Sequence, residues 1–272
     1  MLKLKFPLLV FILALAFGAQ GATVDTALTY SASMKKNIKA VVILPDSYKE
    51  GKTYPVVYLL HGAGGRYDNW IKGAPVLKSY ADQFQLIVVC PDGNVTSWYV
   101  DSPVDPAWKY ETYVATELVS YIDKNYKTIK DRKGRAISGL SMGGHGALSL
   151  AFKHQDTFGA AGSMSGGVDI TPFPANWDIA KRLGPYTENA AVWKQNSVVN
   201  MVDKLTPKSL ALTIDCGKDD FFYAVNMKLH DELMYHNIPH DFTIRPGGHT
   251  MEYWRNSVGY HMLFFSNFFL SK

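Results

Sequence analysis

The chain has 272 residues, 47% of them hydrophobic, with 28 Lys and Arg against 24 Asp and Glu. That is enough apolar material for a full core, and it fits one α/β domain rather than several. The near-balanced charge and the lack of any sequence cluster of five or more basic residues exclude an electrostatic case for nucleic acid and favour neutral or bulky substrates.

Residues 1–21 open with Lys3 and Lys5, continue as an apolar run from Phe6 to Phe17 and close on Ala19-Gln20-Gly21. This is the three-part pattern of a secretory signal peptide, and the apolar run is short for a membrane span; a retained N-terminal anchor is the alternative. The expected product is a secreted or periplasmic domain of residues 22–272, with 26 Lys and Arg against 24 Asp and Glu.

Residues 27–33 and 37–45 read as strands. Residues 54–60 and 86–90 are nearly all apolar, and runs without alternation suggest strands buried on both faces of a helix-covered parallel sheet. Pro55 fits only at the start of its strand, where no ladder N–H is needed. Residues 109–126 carry Tyr110, Tyr113, Val114, Leu118, Tyr121 and Ile122 at helical spacings. Arg135-Ala136-Ile137-Ser138 is a short strand leading into Gly139-Leu140-Ser141-Met142-Gly143, and Gly143, Gly144, Gly146 and Ala147 then open a helix. Ala160–Met164, residues 210–216 and Asp241–Arg245 read as further strands, with a helix over 222–235 and a final one striped by Val258, Met262, Phe265 and Phe269. Residues 169–207, with several prolines and the aromatics Phe173, Trp177 and Trp193, break the rhythm and read as an irregular excursion near the site. The alternation predicts an α/β fold, a mostly parallel central sheet flanked by helices on both faces. Cys90 and Cys216 each end an apolar run; an exported protein could pair them, although both positions suit buried free thiols.

A G-x-S-x-G match arises readily by chance, so its setting carries the argument. Here it joins a strand to a Gly/Ala-rich helix, the setting of a nucleophile elbow. A Ser hydroxyl needs a base to take its proton, and the base needs a carboxylate to fix its tautomer. Gly217-Lys218-Asp219-Asp220 follows one strand and Pro246-Gly247-Gly248-His249 the next, so His249 and one of the two Asp fall at the sheet edge of Ser141. His145, His154, His230, His236 and His261 lie in or beside helices, and His240 opens a strand at the wrong end. His61 precedes Ser141 and breaks the order, but His61-Gly62-Ala63-Gly64-Gly65 can bring a backbone N–H close to a developing oxyanion, with the Met142 N–H as second donor.

Leu59-Leu60-His61-Gly62-Ala63-Gly64-Gly65, the stretch from Gly139 to Leu148, Cys216-Gly217-Lys218-Asp219-Asp220-Phe221 and Gly247-Gly248-His249-Thr250 together resemble the Putative esterase family of α/β-hydrolases. That family takes in carbohydrate esterase family 1 with its feruloyl and acetylxylan esterases, S-formylglutathione hydrolase and the mycolyltransferases. The resemblance implies an α/β-hydrolase fold and a Ser141, Asp220, His249 triad, with Asp220 rather than Asp219 as the acid. It places the oxyanion donors on Ala63 and Met142. Ser97-Trp98-Tyr99-Val100-Asp101-Ser102-Pro103 is similar to an active-site loop of these esterases, whereas Met251 stands where they often show Trp. Trp98, Tyr99 and Trp254, with Trp108 and Tyr253, are candidates to stack on a phenolic acyl group or a sugar. No zinc spacing, P-loop or dinucleotide fingerprint occurs, so neither cofactor nor metal is expected. The expected function is an exported serine esterase acting on acetyl or feruloyl esters of plant-type carbohydrates. The alternatives are an acyltransferase with a sugar acceptor and, more remotely, a non-catalytic carbohydrate-binding protein.

Overall fold

The computed structural model describes residues 21–271; apart from Gly21, the leader expected over residues 1–21 lies outside the described residues. Eight strands form one sheet: β1 (Thr23–Ser31), β2 (Lys36–Leu44), β3 (Val56–Leu60), β4 (Ile87–Pro91), β5 (Arg135–Gly139), β6 (Ala160–Met164), β7 (Ala211–Gly217) and β8 (Asp241–Arg245). Their spatial order is β1-β2-β4-β3-β5-β6-β7-β8. β2 runs antiparallel to both its neighbours, and every pair from β4 to β8 is parallel. This is the mostly parallel α/β-hydrolase sheet. β3, β4, β5 and β6 are buried at every position, which is why their sequences show no alternation. The edge strands β1 and β8 keep exposed positions.

The helices are α1 (Asn69–Gly73), α2 (Leu77–Phe84), α3 (Tyr110–Thr112), α4 (Val119–Asn125), α5 (Met142–Lys153), α6 (Ile179–Leu183), α7 (Tyr186–Gln195), α8 (Tyr223–Tyr235) and α9 (Met251–Leu270). A π-helical stretch, Tyr113–Leu118, joins α3 to α4, so the predicted helix over 109–126 is continuous but widened at its centre. Side chains of β3 alternate between two cores. Val56, Tyr58 and Leu60 pack with Val114, Leu148 and Leu229 on one face; Val57 and Leu59 pack with Trp70, Leu77, Val258 and Met262 on the other. Helices therefore cover both faces, as the pattern requires. The short α1 and α2 bury only Trp70 on one and Leu77 and Ala81 on the other, too little periodicity to announce them in the sequence.

Cys90 and Cys216 are free and buried, and burial pushes both thiols up. They sit on β4 and β7, which β3, β5 and β6 separate. At about 4.8 Å per strand this puts them far beyond the reach of a disulfide.

Three buried histidines give the fold a pH dependence. Burial holds His61 below the ordinary imidazole value of 6.5, His145 down at about 4 and His261 down at about 3. The unfolded chain takes up protons near pH 6.5 that the folded chain refuses until much lower pH. Stability is thus full above the unfolded value and falls as pH drops from 6.5 toward 4, by up to about 1.4 kcal/mol per pH unit for each of His145 and His261, with His61 acting in the same direction. Urea midpoints should decline steadily between pH 7 and pH 4.5; a flat profile over that range would show that these rings are not held neutral.

Candidate active site

β5 ends at Gly139, and the chain turns through Leu140 and Ser141 into α5. Ser141 has φ 55° and ψ −119°, a region that residues with a Cβ avoid at a cost of about 1–3 kcal/mol. Backbone bonds hold it there: the Ser141 N–H donates to Met164 O at 2.9 Å, Gly143 N–H to Leu140 O at 2.7 Å, and His145 N–H to Ser141 O at 3.0 Å. The flanking glycines follow from crowding. A Cβ on Gly139 would lie 2.4 Å from Gly143 O, and one on Gly143 would lie 2.5 Å from Leu60 O.

The loops after β7 and β8 are zipped together. Lys218 N–H donates to Arg245 O and Asp219 N–H to Gly247 O, both at 2.9 Å, and a Cβ on Gly217 would meet Gly247 O at 2.3 Å. This close passage brings Asp220 and His249 together. The His249 Nδ1 lies 3.0 and 2.9 Å from the two carboxylate oxygens of Asp220, and its Nε2 lies 2.8 Å from Ser141 Oγ. The Phe222 N–H also donates to Asp220 Oδ1 at 2.8 Å. With Nδ1 carrying the proton toward Asp220, Nε2 is left to accept from the Ser141 hydroxyl. Asp220 is buried, whereas Asp219 is exposed. The His249 ring is walled by Phe221 at 4.2 Å, Trp254 edge-on at 4.7 Å and Phe222 edge-on at 5.4 Å. Thr250 caps α9 immediately after it, its hydroxyl accepting from the Tyr253 N–H.

His61 is enclosed beneath its loop. Its Nε2 accepts from the Gly93 N–H at 2.8 Å, which leaves Nδ1–H to donate to Gly62 O at 2.8 Å, and burial keeps the ring neutral. It braces the turn rather than facing Ser141. Ala63 lines the same cavity as Ser141, and among the described residues neither the Ala63 N–H nor the Met142 N–H has a hydrogen-bond partner.

The cavity over Ser141 has a volume of about 440 Å³. Its walls are the glycines of the His61 loop, Asn69, Leu140, Trp177, Phe221, His249 and Trp254. Trp254 is where the sequence expected it. Trp98 and Tyr99 are not: they are 2% and 1% exposed and do not reach the cavity. Both have left-handed backbones, with φ 54° and 55°, and their rings pack inward. Trp98 Nε1 donates to Trp177 O at 3.1 Å, and the Tyr99 hydroxyl donates to His61 O at 3.0 Å. Gly146 and Gly167 make room, since a Cβ there would strike Tyr99 at 2.5 Å and Trp98 at 2.9 Å. These two aromatics support the His61 loop and Trp177 from below. Trp108 lies under the Arg182 guanidinium, and Tyr253 is buried with its hydroxyl on Asp215. Of the three aromatics expected at the cavity, Trp254 lines it and Trp98 and Tyr99 do not. Trp177 and Phe221 join Trp254 in the cavity wall, their rings stacked at 5.6 Å with a 19° tilt. The signals available in the sequence were the aromatic content of the 169–207 excursion and the position of Phe221 beside Asp220.

The mostly parallel sheet with an antiparallel second strand, and a Ser-His-Asp cluster on three loops at its carboxyl edge, define an α/β-hydrolase. The chain belongs to the esterase family: the family model described as Putative esterase matches residues 31–262. Among curated proteins it is 31% identical over 235 residues to Esterase Rv1288 of Mycobacterium tuberculosis, an alignment that covers 76% of this chain and 51% of that protein. This chain therefore spans about half the length of that relative. It is also 29% identical over 278 residues to the diacylglycerol acyltransferase/mycolyltransferase Ag85B of Mycobacterium avium, covering 88% of this chain and 81% of that one. Among solved structures, a ferulic acid esterase superposes with a TM-score of 0.80 at 32% identity, covering 92% of this chain and 99% of that one. Its fold is that of the α/β-hydrolases and its family that of the esterases.

Proposed function

We propose that the chain is an exported serine esterase that works through an acyl-enzyme on Ser141. The observation that carries this reading is the unbroken chain from Ser141 Oγ through His249 to Asp220, with contacts of 2.8 and 2.9 Å on the floor of an open cavity. Ser141 Oγ attacks the ester carbonyl as His249 Nε2 takes its proton, and Asp220 holds the imidazolium. The Ala63 and Met142 N–H groups receive the oxyanion. His249 then protonates the departing alcohol, and water repeats the sequence to release the acid. The triad sits in a pocket of ordinary ligand size, with aromatic rings on one side. Acetyl or feruloyl esters of carbohydrates suit it, a flat acyl group or sugar ring lying against Trp177, Phe221 and Trp254. Export is supported by the signal-like pattern of residues 1–21.

A fluorophosphonate ester should give a single covalent adduct on the peptide containing Ser141, and protein so labelled should hydrolyse none of a panel of acetyl, butyryl and feruloyl esters. An adduct elsewhere, or full turnover after labelling, refutes the serine mechanism. The likeness to Ag85B favours one second reading, transfer of the acyl group to a sugar hydroxyl. Product analysis with candidate sugar acceptors separates it from hydrolysis.

Phe221 is 53% exposed, so its ring can be removed with little loss of core. Phe221→Ala is expected to lower kcat/KM for a feruloyl ester about tenfold, roughly the 1.4 kcal/mol of one aromatic contact, and for an acetyl ester less than about threefold. Equal losses on the two esters would mean that Phe221 acts through the His249 ring instead of the acyl group.

A further inference from the structure

Along the sheet, β5, which leads into Ser141, lies between β3 on one side and β6 and β7 on the other. The two flanks lead into chemically different walls. Trp177 follows β6 and Phe221 follows β7, and their stacked rings form one wall of the cavity. The loop after β3 supplies Gly62, Ala63, Gly64 and Gly65, and then Asn69 at the start of α1. Residues 62–65 are almost bare backbone, and a Cβ on Gly64 would meet nothing within 4 Å, so the space beside it is open.

Asn69 is half-buried and its backbone is held from behind. Its neighbour Trp70 is fully buried and donates from Nε1 to Leu60 O, at the end of β3, at 2.9 Å; the Asn69 N–H closes a turn onto Arg66 O at 3.0 Å. α1 is fastened in turn to α9, where Arg255 Nε donates to Gly73 O at 2.6 Å. The Asn69 carboxamide, by contrast, makes no hydrogen bond with the described residues. Outside the triad it is the one side chain on the cavity wall that has an acceptor, and it brings two N–H donors with it. Trp254 Nε1 is closed off from solvent, so that residue gives the cavity ring surface. A free amide on a rigidly held backbone, facing a ligand-sized cavity, is the arrangement of a recognition group.

We propose that Asn69 selects the alcohol half of the ester, binding the hydroxyls of a sugar ring seated on the 62–65 side of Ser141 while the acyl group lies against Trp177 and Phe221. The two halves of the substrate need different partners. An acetyl group has no hydrogen-bonding atom beyond its ester function, and a feruloyl group is chiefly a flat ring suited to aromatic contact. A sugar carries neighbouring hydroxyls, each both donor and acceptor, which match the oxygen and NH₂ of one carboxamide. A site built to hydrogen-bond a hydroxyl discriminates against the analogue that lacks it, so Asn69 favours a sugar ester over the ester of a simple alcohol. This role presupposes an acyl-enzyme on Ser141 and therefore rests on the serine-esterase reading.

The test is a matched set of esters: ethyl acetate and methyl ferulate, and the same two acyl groups on the primary hydroxyl of a methyl glycoside. The kcat/KM of each is measured for wild type, Asn69→Ala and Phe221→Ala. For both acyl groups the ratio of glycoside ester to simple ester should fall about tenfold in Asn69→Ala, the effect of losing one hydrogen-bonding side chain, and mostly through KM. In Phe221→Ala that ratio should stay within about twofold, while the ratio of feruloyl to acetyl ester falls. An unchanged glycoside-to-simple ratio in Asn69→Ala overturns the proposal, because a residue that only shapes the oxyanion loop slows every ester alike. A ratio that falls for one acyl group alone also overturns it, since that places Asn69 on the acyl side. So does a wild type that hydrolyses the simple esters but neither glycoside ester. A wild type that turns over no ester of the set overturns both the role of Asn69 and the serine-esterase reading beneath it.

Discussion

Ser141→Ala is expected to lower kcat for a nitrophenyl ester by about a million-fold, leaving only the rate that binding and backbone donors supply. Nearby hydroxyls cannot substitute. Ser138 is buried in contact with the His261 ring at 2.9 Å, and the Thr250 hydroxyl caps α9. The two aspartates offer a sharper control. Asp220→Asn should cost about 10⁴ in kcat, because an amide can turn its NH₂ toward Nδ1 and reverse the tautomer that Ser141 needs. Asp219→Asn should stay within about twofold, since only its backbone engages the site. Steady-state kinetics with circular dichroism as a folding control decides it. Turnover within about tenfold of wild type in Ser141→Ala, or equal losses at 219 and 220, would remove the proposed roles.

What the sequence made legible and what it hid have physical causes. Strands buried on both faces need not alternate, so β3 and β4 announce themselves as plain apolar runs. The chain order of Ser141, Asp220 and His249 was readable because a parallel sheet puts every strand-to-loop junction on one edge, and the structure does bring the three side chains into contact there. The choice between Asp219 and Asp220 needed the family resemblance. Periodicity says nothing about a loop in which one residue points in and the next points out. The fates of Trp98 and Tyr99 were set by two successive left-handed residues, which no propensity announces for an aromatic. Trp177 has the same left-handed backbone, φ 48°, yet lines the cavity.

Asp215→Ala is expected to destabilise the protein by about 3–5 kcal/mol, the cost of breaking a buried ion pair from one side. Asp215 on β7 is 2% exposed and accepts from the Tyr253 hydroxyl at 2.5 Å, from Ser257 Oγ at 3.1 Å and from the Arg245 guanidinium. Burial raises its carboxyl above the usual range against the opposing pull of these partners. Arg245 also donates to Ser257 Oγ at 2.7 Å and lies 4.5 Å from the Tyr260 ring. The network ties β7, β8 and α9 together just beneath the loops that carry Asp220 and His249, and a Cβ on Gly247 would meet the Tyr253 ring at 2.8 Å. Tyr253→Phe removes a single charge-assisted bond and should cost less, about 1.5–3 kcal/mol. Urea unfolding at neutral pH measures both. The distinguishing result lies in the double variant. Asp215→Ala strands the Arg245 charge, so adding Arg245→Met should recover part of the loss, giving a sum well below additive. Full additivity would mean that Asp215 and Arg245 act independently and that the pair does not hold the His249 loop in place.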